Sequence, residues 1–504
     1  MLYPIGYTMG CEPDQWAKDW LEEQRAQGKT GLTVEKRGDM HIVKWATTKW
    51  DPETKKRKKI SEYRGVLHQD GTLAPPRPQR RRVEAAQIVD SGNARLLARF
   101  TEPILPALKF AFPNDYPEIV ELAVTRILGR GELCKAGRCW NRLEDVLGLR
   151  PNTSPKSLSD TLERVGLARG SQDLFFSRLD KEDSEMAVDM SVIFSKARGA
   201  TMLKTGYNRF RLSCPQFNLV MCCGLASGRP RYMRVVPGNM KEGCAVTMLD
   251  EFDIEEGTLL VMDRGYHDKK LLAAIRGEEL DYLVAVKRNS KVYEKTDAEE
   301  GIFRWRDSAV RYGHSRVSDG EWAYRFENLD HRNDELVDAL RAQELGHQRD
   351  LKLDKAGNFV MVSSREMDPR DVYRIYKARC SIEDYFDSAK NVLSADRTYM
   401  RDDAHVMGHL FITFVAALVR YEVARLIDEA DLASSYSPED VLDVYATMKI
   451  VTGDAEIRQL VPKDVKDLDA KLGVFLYSTQ DDRDKLMGIK KKRGRKPKAS
   501  GPSS

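Results

Sequence analysis

Tyr376, Arg379, Glu383 and Lys390 follow one another at steps of three, four and seven residues, in a stretch without Gly or Pro from Asp371 onward. At 3.6 residues per turn those steps return to one face of a helix. An aromatic hydroxyl, two cations and a carboxylate on one face suit a phosphate held beside a divalent metal. Arg and Lys serve the phosphate and Glu the metal. A second stripe, Val372, Ile375, Ala378, Ile382, Phe386, Ala389 and Leu393, also runs at helical period and predicts a side that faces a core. Arg379 and Glu383 at i,i+4 equally make an ordinary surface ion pair, so the pattern alone leaves a solvated face open.

Two further acids narrow the choice. Asp189 sits inside an apolar strand pattern between Val188 and Met190, where a carboxylate needs a cation or a metal. Asp263 ends the apolar run Leu259–Met262, ahead of Arg264, Gly265 and Tyr266. Open α/β sheets place ligands just past the C-terminal ends of buried strands. Two Asp on neighbouring strands and a Glu on a packed helix make three oxygen donors, a set suited to Mg²⁺ or Mn²⁺. Two such ions roughly 4 Å apart stabilise the entering and leaving oxygens of an in-line phosphodiester displacement. The eight His residues form no catalytic grouping, and neither Gly-x-Ser-x-Gly nor a Walker loop occurs.

Positioning these residues requires a sheet. Strands are predicted at Met186–Phe194, Phe217–Cys223, Tyr232–Val236, Thr258–Met262, Tyr282–Val286 and Phe359–Ser363. Helices are predicted around Ala245–Phe252 and Lys269–Arg276, and from Asp368-Pro369 onward. The order βββαβα, interrupted before a final helix, is that of an α/β domain with a ribonuclease-H-like core. The core divides into 184–288 and 356–430, with a mainly β insertion at 289–355 that contains Trp305 and Trp322.

Residues 1–83 read as a β-rich region, with a long hairpin around Asp51–Thr54, a strongly basic tip at Lys55–Lys59 and a Pro/Arg linker ending in Arg80–Arg82. Residues 84–183 are helical, with Pro117–Leu128 amphipathic, and are expected to bind DNA ends; 431–488 form a helical region. The basic tail 489–504 has no capacity for a core.

At 504 residues the chain needs several cores, and 41% hydrophobic with 32% charged residues suits a well-charged globular protein. Net charge is only +4, so the basic blocks, rather than the overall balance, point to a phosphate backbone. Eight cysteines without a Cys-x-x-Cys pair exclude a zinc finger and fit a reducing, cytoplasmic setting. No signal peptide is expected, and Leu410–Val419 is too short to span a bilayer.

Tyr376-x2-Arg379-x3-Glu383-x6-Lys390 resembles in every spacing the Y-R-E-K signature of the insertion-sequence-four family of DDE transposases. Ala187–Ser191 and Val261–Tyr266 are similar to that family's two Asp motifs, and Gly408-His409-Leu410 to its region after the Glu. The resemblance covers roughly 184–430. It implies a prokaryotic, nucleoid-associated transposase acting as a homodimer on double-stranded DNA, both transposon terminal repeats and target. It implies Asp189, Asp263 and Glu383 as catalytic and metal-holding, with two Mg²⁺ ions that Mn²⁺ can replace. Tyr376, Arg379 and Lys390 then contact phosphates, while Arg264 either joins them or forms a structural ion pair. Trp305 or Trp322 either stacks on a flipped base or packs in a core. Arg493-Gly494-Arg495 in the tail resembles an AT-hook, although Lys496 separates it from Pro497. A nuclease of the same fold without strand transfer, and a non-catalytic DNA-binding protein, remain the alternatives.

Overall fold

The computed structural model describes residues 12–51, 56–76, 85–179, 183–195, 197, 199–208, 212–240, 252–345, 355–380, 382–383, 386, 400–453 and 457–477. Two compact units divide the chain, Met1–Glu84 and Ala85–Ser504. The expected helix around Ala245, the stripe residues Ala389 and Leu393, the block Arg80–Arg82, and Lys390, Arg493 and Arg495 lie outside the described residues.

In the first unit, β1 (Leu32–Arg37), β2 (Met40–Asp51), β3 (Lys56–Leu67) and β4 (Leu73–Ala74) form an antiparallel sheet in that order. Helix Gln15–Ala26 precedes it, and Ala17, Val43 and Leu67 form a small core with Trp16, Trp20, Leu32 and Val34 packed against it. β2 and β3 pair as far as Asp51 opposite Lys56, so the long hairpin read from the sequence is present. The helix and β1 were not anticipated, although Trp16, Ala17, Trp20 and Leu21 recur at helical spacing.

The second unit opens with β5 (Ala85–Asp90). Its large mixed sheet contains β6 (Glu185–Phe194), β7 (Lys204–Thr205), β8 (Pro215–Gly224), β9 (Pro230–Pro237), β10 (Leu259–Met262), β11 (Asp281–Ala285), β12 (Gly301–Trp305), β13 (Ser308–Ser318), β14 (Glu321–Asn328) and β15 (Asn358–Ser363). The order is β12-β13-β14-β15-β11-β10-β6-β8-β7, with β9 on the side of β8. β6 and β11 run parallel to β10, and the other pairings are antiparallel. The fold is therefore mixed α/β, as the apolar runs required. β16 (Lys449–Gly453) and β17 (Ile457–Leu460) join β5 in a separate small sheet.

Apolar alternation in β10 serves both faces: Leu260 and Met262 enter one core, Leu259 and Val261 the other. Burial on both sides is why its sequence reads as an unbroken apolar run. The segment 289–355 supplies β12–β14 and helix Leu329–Glu344. Its strands continue the main sheet through β15 rather than standing apart from it. Adding strands there covers the free edge that β15 would otherwise present.

On the first core, helix Asp403–Glu429 buries the whole run Leu410–Val419. Among the described residues no helix is long and apolar enough to cross a membrane. Helix Tyr116–Ile127 differs from its amphipathic reading, because Ile119 through Ile127 are all buried. Arg126 is held there by its own bonds: its guanidinium donates to the His409 carbonyl at 2.9 Å and to the Thr413 hydroxyl, and meets His409 Nδ1 at 2.9 Å. Burial lowers Arg126 to about 10, which leaves it charged at neutral pH. Burial, then the Arg126 charge, holds His409 well below its ordinary value and so neutral.

Gly408 has a packing reason. A Cβ there would lie 1.9 Å from the Leu162 carbonyl oxygen, and one at Gly166 would lie 1.8 Å from that of Ala404. Helices Pro155–Leu167 and Asp403–Glu429 therefore cross with backbones in contact. Gly408→Ala is expected to cost at least about 2 kcal/mol of stability, since backbone rather than a movable side chain blocks the methyl. Urea denaturation measures this, and an unchanged midpoint would contradict the close crossing.

Candidate active site

Strand register brings the two aspartates together. β10 pairs with β6 from Leu259 opposite Glu185 to Met262 opposite Val188, so one further step sets Asp263 beside Asp189. Asp263 keeps an extended backbone, with φ −76° and ψ 169°. Neighbouring strands lie about 4.8 Å apart, and in-register residues share a face. Leu259 and Val261 share a core with Val372, Tyr373 and Ile375, and Asp263 continues their alternation. Both carboxylates thus belong to the sheet face covered by helix Pro369–Ala378.

That helix starts at Asp368, whose carboxylate accepts from the Arg370 N–H at 2.8 Å, with Pro369 in its first turn. Tyr373 anchors it: the rings of Phe303, Trp305, Phe326 and Phe359 stand 5.4, 5.3, 5.2 and 5.6 Å from the Tyr373 ring. β12, β14 and β15 therefore grip the helix one turn before Tyr376. Phe359 also touches the Tyr376 ring at 5.6 Å. Phe359 escaped the sequence reading as a site residue, although strand alternation was its available signal.

The helix expected through Glu383 is interrupted after Ala378, and Ile382, Glu383 and Phe386 are helical again. The helix ends at Ala378, and the N–H groups of Arg379 and Cys380 bond three residues back at 3.3 Å each. Ile382 and Glu383 do the same at 3.0 Å. Three-residue turns advance each side chain by about 120° instead of 100°, which shifts Arg379 off the simple helical stripe. The physical reason is the pairing it gains. Arg379 is 9% exposed, with Nη1 3.6 Å from Asp189 Oδ2 and Nη2 3.4 Å from Glu383 Oε1. A cation buried this far needs carboxylate partners. Its guanidinium also lies 5.6 Å from the centre of the Tyr376 ring.

Asp263 belongs to the same electrostatic group. Burial opposes the Arg379 charge, but Tyr376, Asp189, Asp263 and Glu383 outweigh it and raise its pKa. The Tyr376 hydroxyl is pushed up by burial and then by Asp263. Three acids thus surround one arginine. Asp189 is sheltered and the Glu383 side chain is 59% exposed, so the site opens to solvent on the Glu383 side. Among the described residues, no three His, Cys, Asp or Glu side chains stand close enough together to grip a metal ion. Arg379 lies between them. An oxygen-only set carrying three negative charges against one positive nevertheless fits a hard divalent cation.

The remaining predicted residues fall elsewhere. Arg264 follows Asp263 directly, is exposed, and makes no ion pair among the described residues. Trp305 packs edge-on against Tyr373, and Trp322 stacks on His314 at 5.9 Å; both are partly buried against the second core. Six of the cysteines are free thiols, and Cys222 and Cys223 are buried in β8.

Residues 184–419 match the family model of the transposase DDE domain, and the function of the chain is that of a DDE-type DNA transposase. Comparison with curated proteins finds no match. Among solved structures, the chain is similar to a piggyBac transposase synaptic complex with hairpin DNA, at 11% identity and TM-score 0.39, over 82% of this chain and 88% of that one.

Proposed function

We propose that the sheet from β9 to β11 is a ribonuclease-H-like core that cleaves transposon ends and joins the freed 3′-hydroxyl to target DNA, in the manner of the insertion-sequence-four lineage. The observation that carries this reading is the meeting of Asp189, Asp263 and Glu383 around Arg379, on the face held by helix Pro369–Ala378. Asp189, Asp263 and Glu383 are the residues that would hold divalent metal, Mg²⁺ or Mn²⁺. Bound there, the metal supplies activation of the attacking hydroxyl and charge neutralisation at the leaving oxygen.

The chain's own residues do the rest. The Arg379 fork, released from its carboxylates, offers paired donors to a phosphate, and Tyr376 adds a hydroxyl beside it. The aromatic cage around Tyr373 keeps both in register with the strand ends. Lys390 and Arg264 extend the phosphate contacts, and Arg493 and Arg495 of the tail add nonspecific or minor-groove contacts. Two copies synapse a pair of ends in a prokaryotic cytoplasm.

A labelled duplex taken from the DNA flanking the gene, incubated with the purified chain, target plasmid and Mg²⁺, is expected to yield label joined covalently to plasmid. Cutting without joining would leave a nuclease, and binding without cutting a non-catalytic DNA-binding protein.

A further inference from the structure

The β2–β3 ribbon of the first unit plays no part in the site described above. From Trp45 opposite Glu62 to Asp51 opposite Lys56, the two strands run as a plain antiparallel ladder. At about 3.4 Å per residue this arm is about 20 Å long. The core of Ala17, Val43 and Leu67 lies at its base. Lys49, Trp50 and every residue from Lys56 to Arg64 are exposed.

Charge is distributed unevenly along this unit. At the base, Lys36 pairs with Asp14, Lys44 and Arg37 with Glu35, and Arg64 with Glu62. On the arm, Lys49, Lys56, Arg57, Lys58 and Lys59 make no ion pair among the described residues. Lys49 stands directly opposite Lys58, a placement that destabilises a ladder. Register puts Lys49, Lys56 and Lys58 on one face and Arg57 and Lys59 on the other, with Trp50, 58% exposed, opposite Arg57. A hairpin that concentrates unpaired like charge on both faces gains most from a polyanion with two phosphate walls.

We propose that this ribbon is a DNA-binding arm that enters the major groove of duplex DNA. The B-form major groove is about 12 Å wide and admits a two-stranded ribbon, whereas the minor groove, about 6 Å wide, does not. Cations on both faces then reach phosphates on both walls, and Trp50 supplies apolar contact to base edges. The proposal rests on the transposase reading for the presence of duplex DNA, but it concerns a different part of the chain.

The test uses the full chain and a duplex DNA probe in fluorescence anisotropy across a salt series. Replacing Lys56, Arg57, Lys58 and Lys59 by Ala is expected to weaken binding at least about tenfold and to reduce the slope of log K against log salt by up to about 3.6, near 0.9 per lost phosphate contact. The Lys58→Gln, Lys59→Gln pair should give about half that change, with the thermal midpoint of the parent. Trp50→Ala should weaken binding while leaving the slope unchanged. Unaltered affinity and slope in both cation variants would overturn the arm. Equal competition by duplex RNA, whose major groove is too deep and narrow for a ribbon, would overturn the groove assignment. Failure of the parent itself to bind duplex DNA would instead count against the transposase reading.

Discussion

Asp263→Asn is expected to abolish strand cleavage, lowering the rate at least about a thousandfold, or about 4 kcal/mol of barrier. Binding to transposon ends should stay within about twofold of the parent. Asn matches the shape of Asp but removes the charge at the point where β10 ends beside Asp189. The amide keeps the extended backbone and the packing of Val261 and Tyr266, both buried on either side of it. Cleavage of an end-labelled duplex in Mg²⁺ and in Mn²⁺ measures the first effect, and anisotropy the second. Mg²⁺ should also raise the thermal midpoint of the parent and not that of the variant. Cutting at the parental rate would remove Asp263 from the metal site.

Arg379→Ala carries the second large effect, and it acts on stability as well as activity. Arg379 is 9% exposed and lies among three carboxylates. Removing it leaves Asp189 and Glu383 without their shared cation. Loss of one partner from a buried pair costs about 3–5 kcal/mol, and the exposure of Glu383 brings the expectation below that range, to about 2–3 kcal/mol. Divalent cation should recover part of this, so Mg²⁺ raises the melting temperature of the variant more than that of the parent. Arg379→Lys should not restore cleavage, because one ammonium cannot span two carboxylates or fork onto a phosphate. Equal stability, with equal Mg²⁺ shifts in parent and variant, would show that Arg379 does not balance these acids.

Continuous apolar runs made the central strands readable. Thr258–Met262 could only be a strand buried on both faces, and β10 is one. The spacing of Tyr376, Arg379 and Glu383 likewise exposed a helix beside a site. The same spacing did not show the interruption after Ala378, since local periodicity carries no information about the pairing Arg379 makes there. Gly408 and His409 were visible as a motif without a cause. Their cause is an approach of helix backbones and a buried guanidinium more than 280 positions away in sequence.

By itself the sequence determined the kinds of element, the mixed α/β class and the acidic and cationic residue types available for phosphodiester chemistry, because these follow from short-range periodicity and composition. Only the tertiary structure decided which side chains meet. Parallel register set Asp263 beside Asp189, the aromatic cage around Tyr373 fixed the helix over them, and Arg379 turned inward to three carboxylates. Those choices are made by burial and charge pairing between distant segments, which no local pattern encodes.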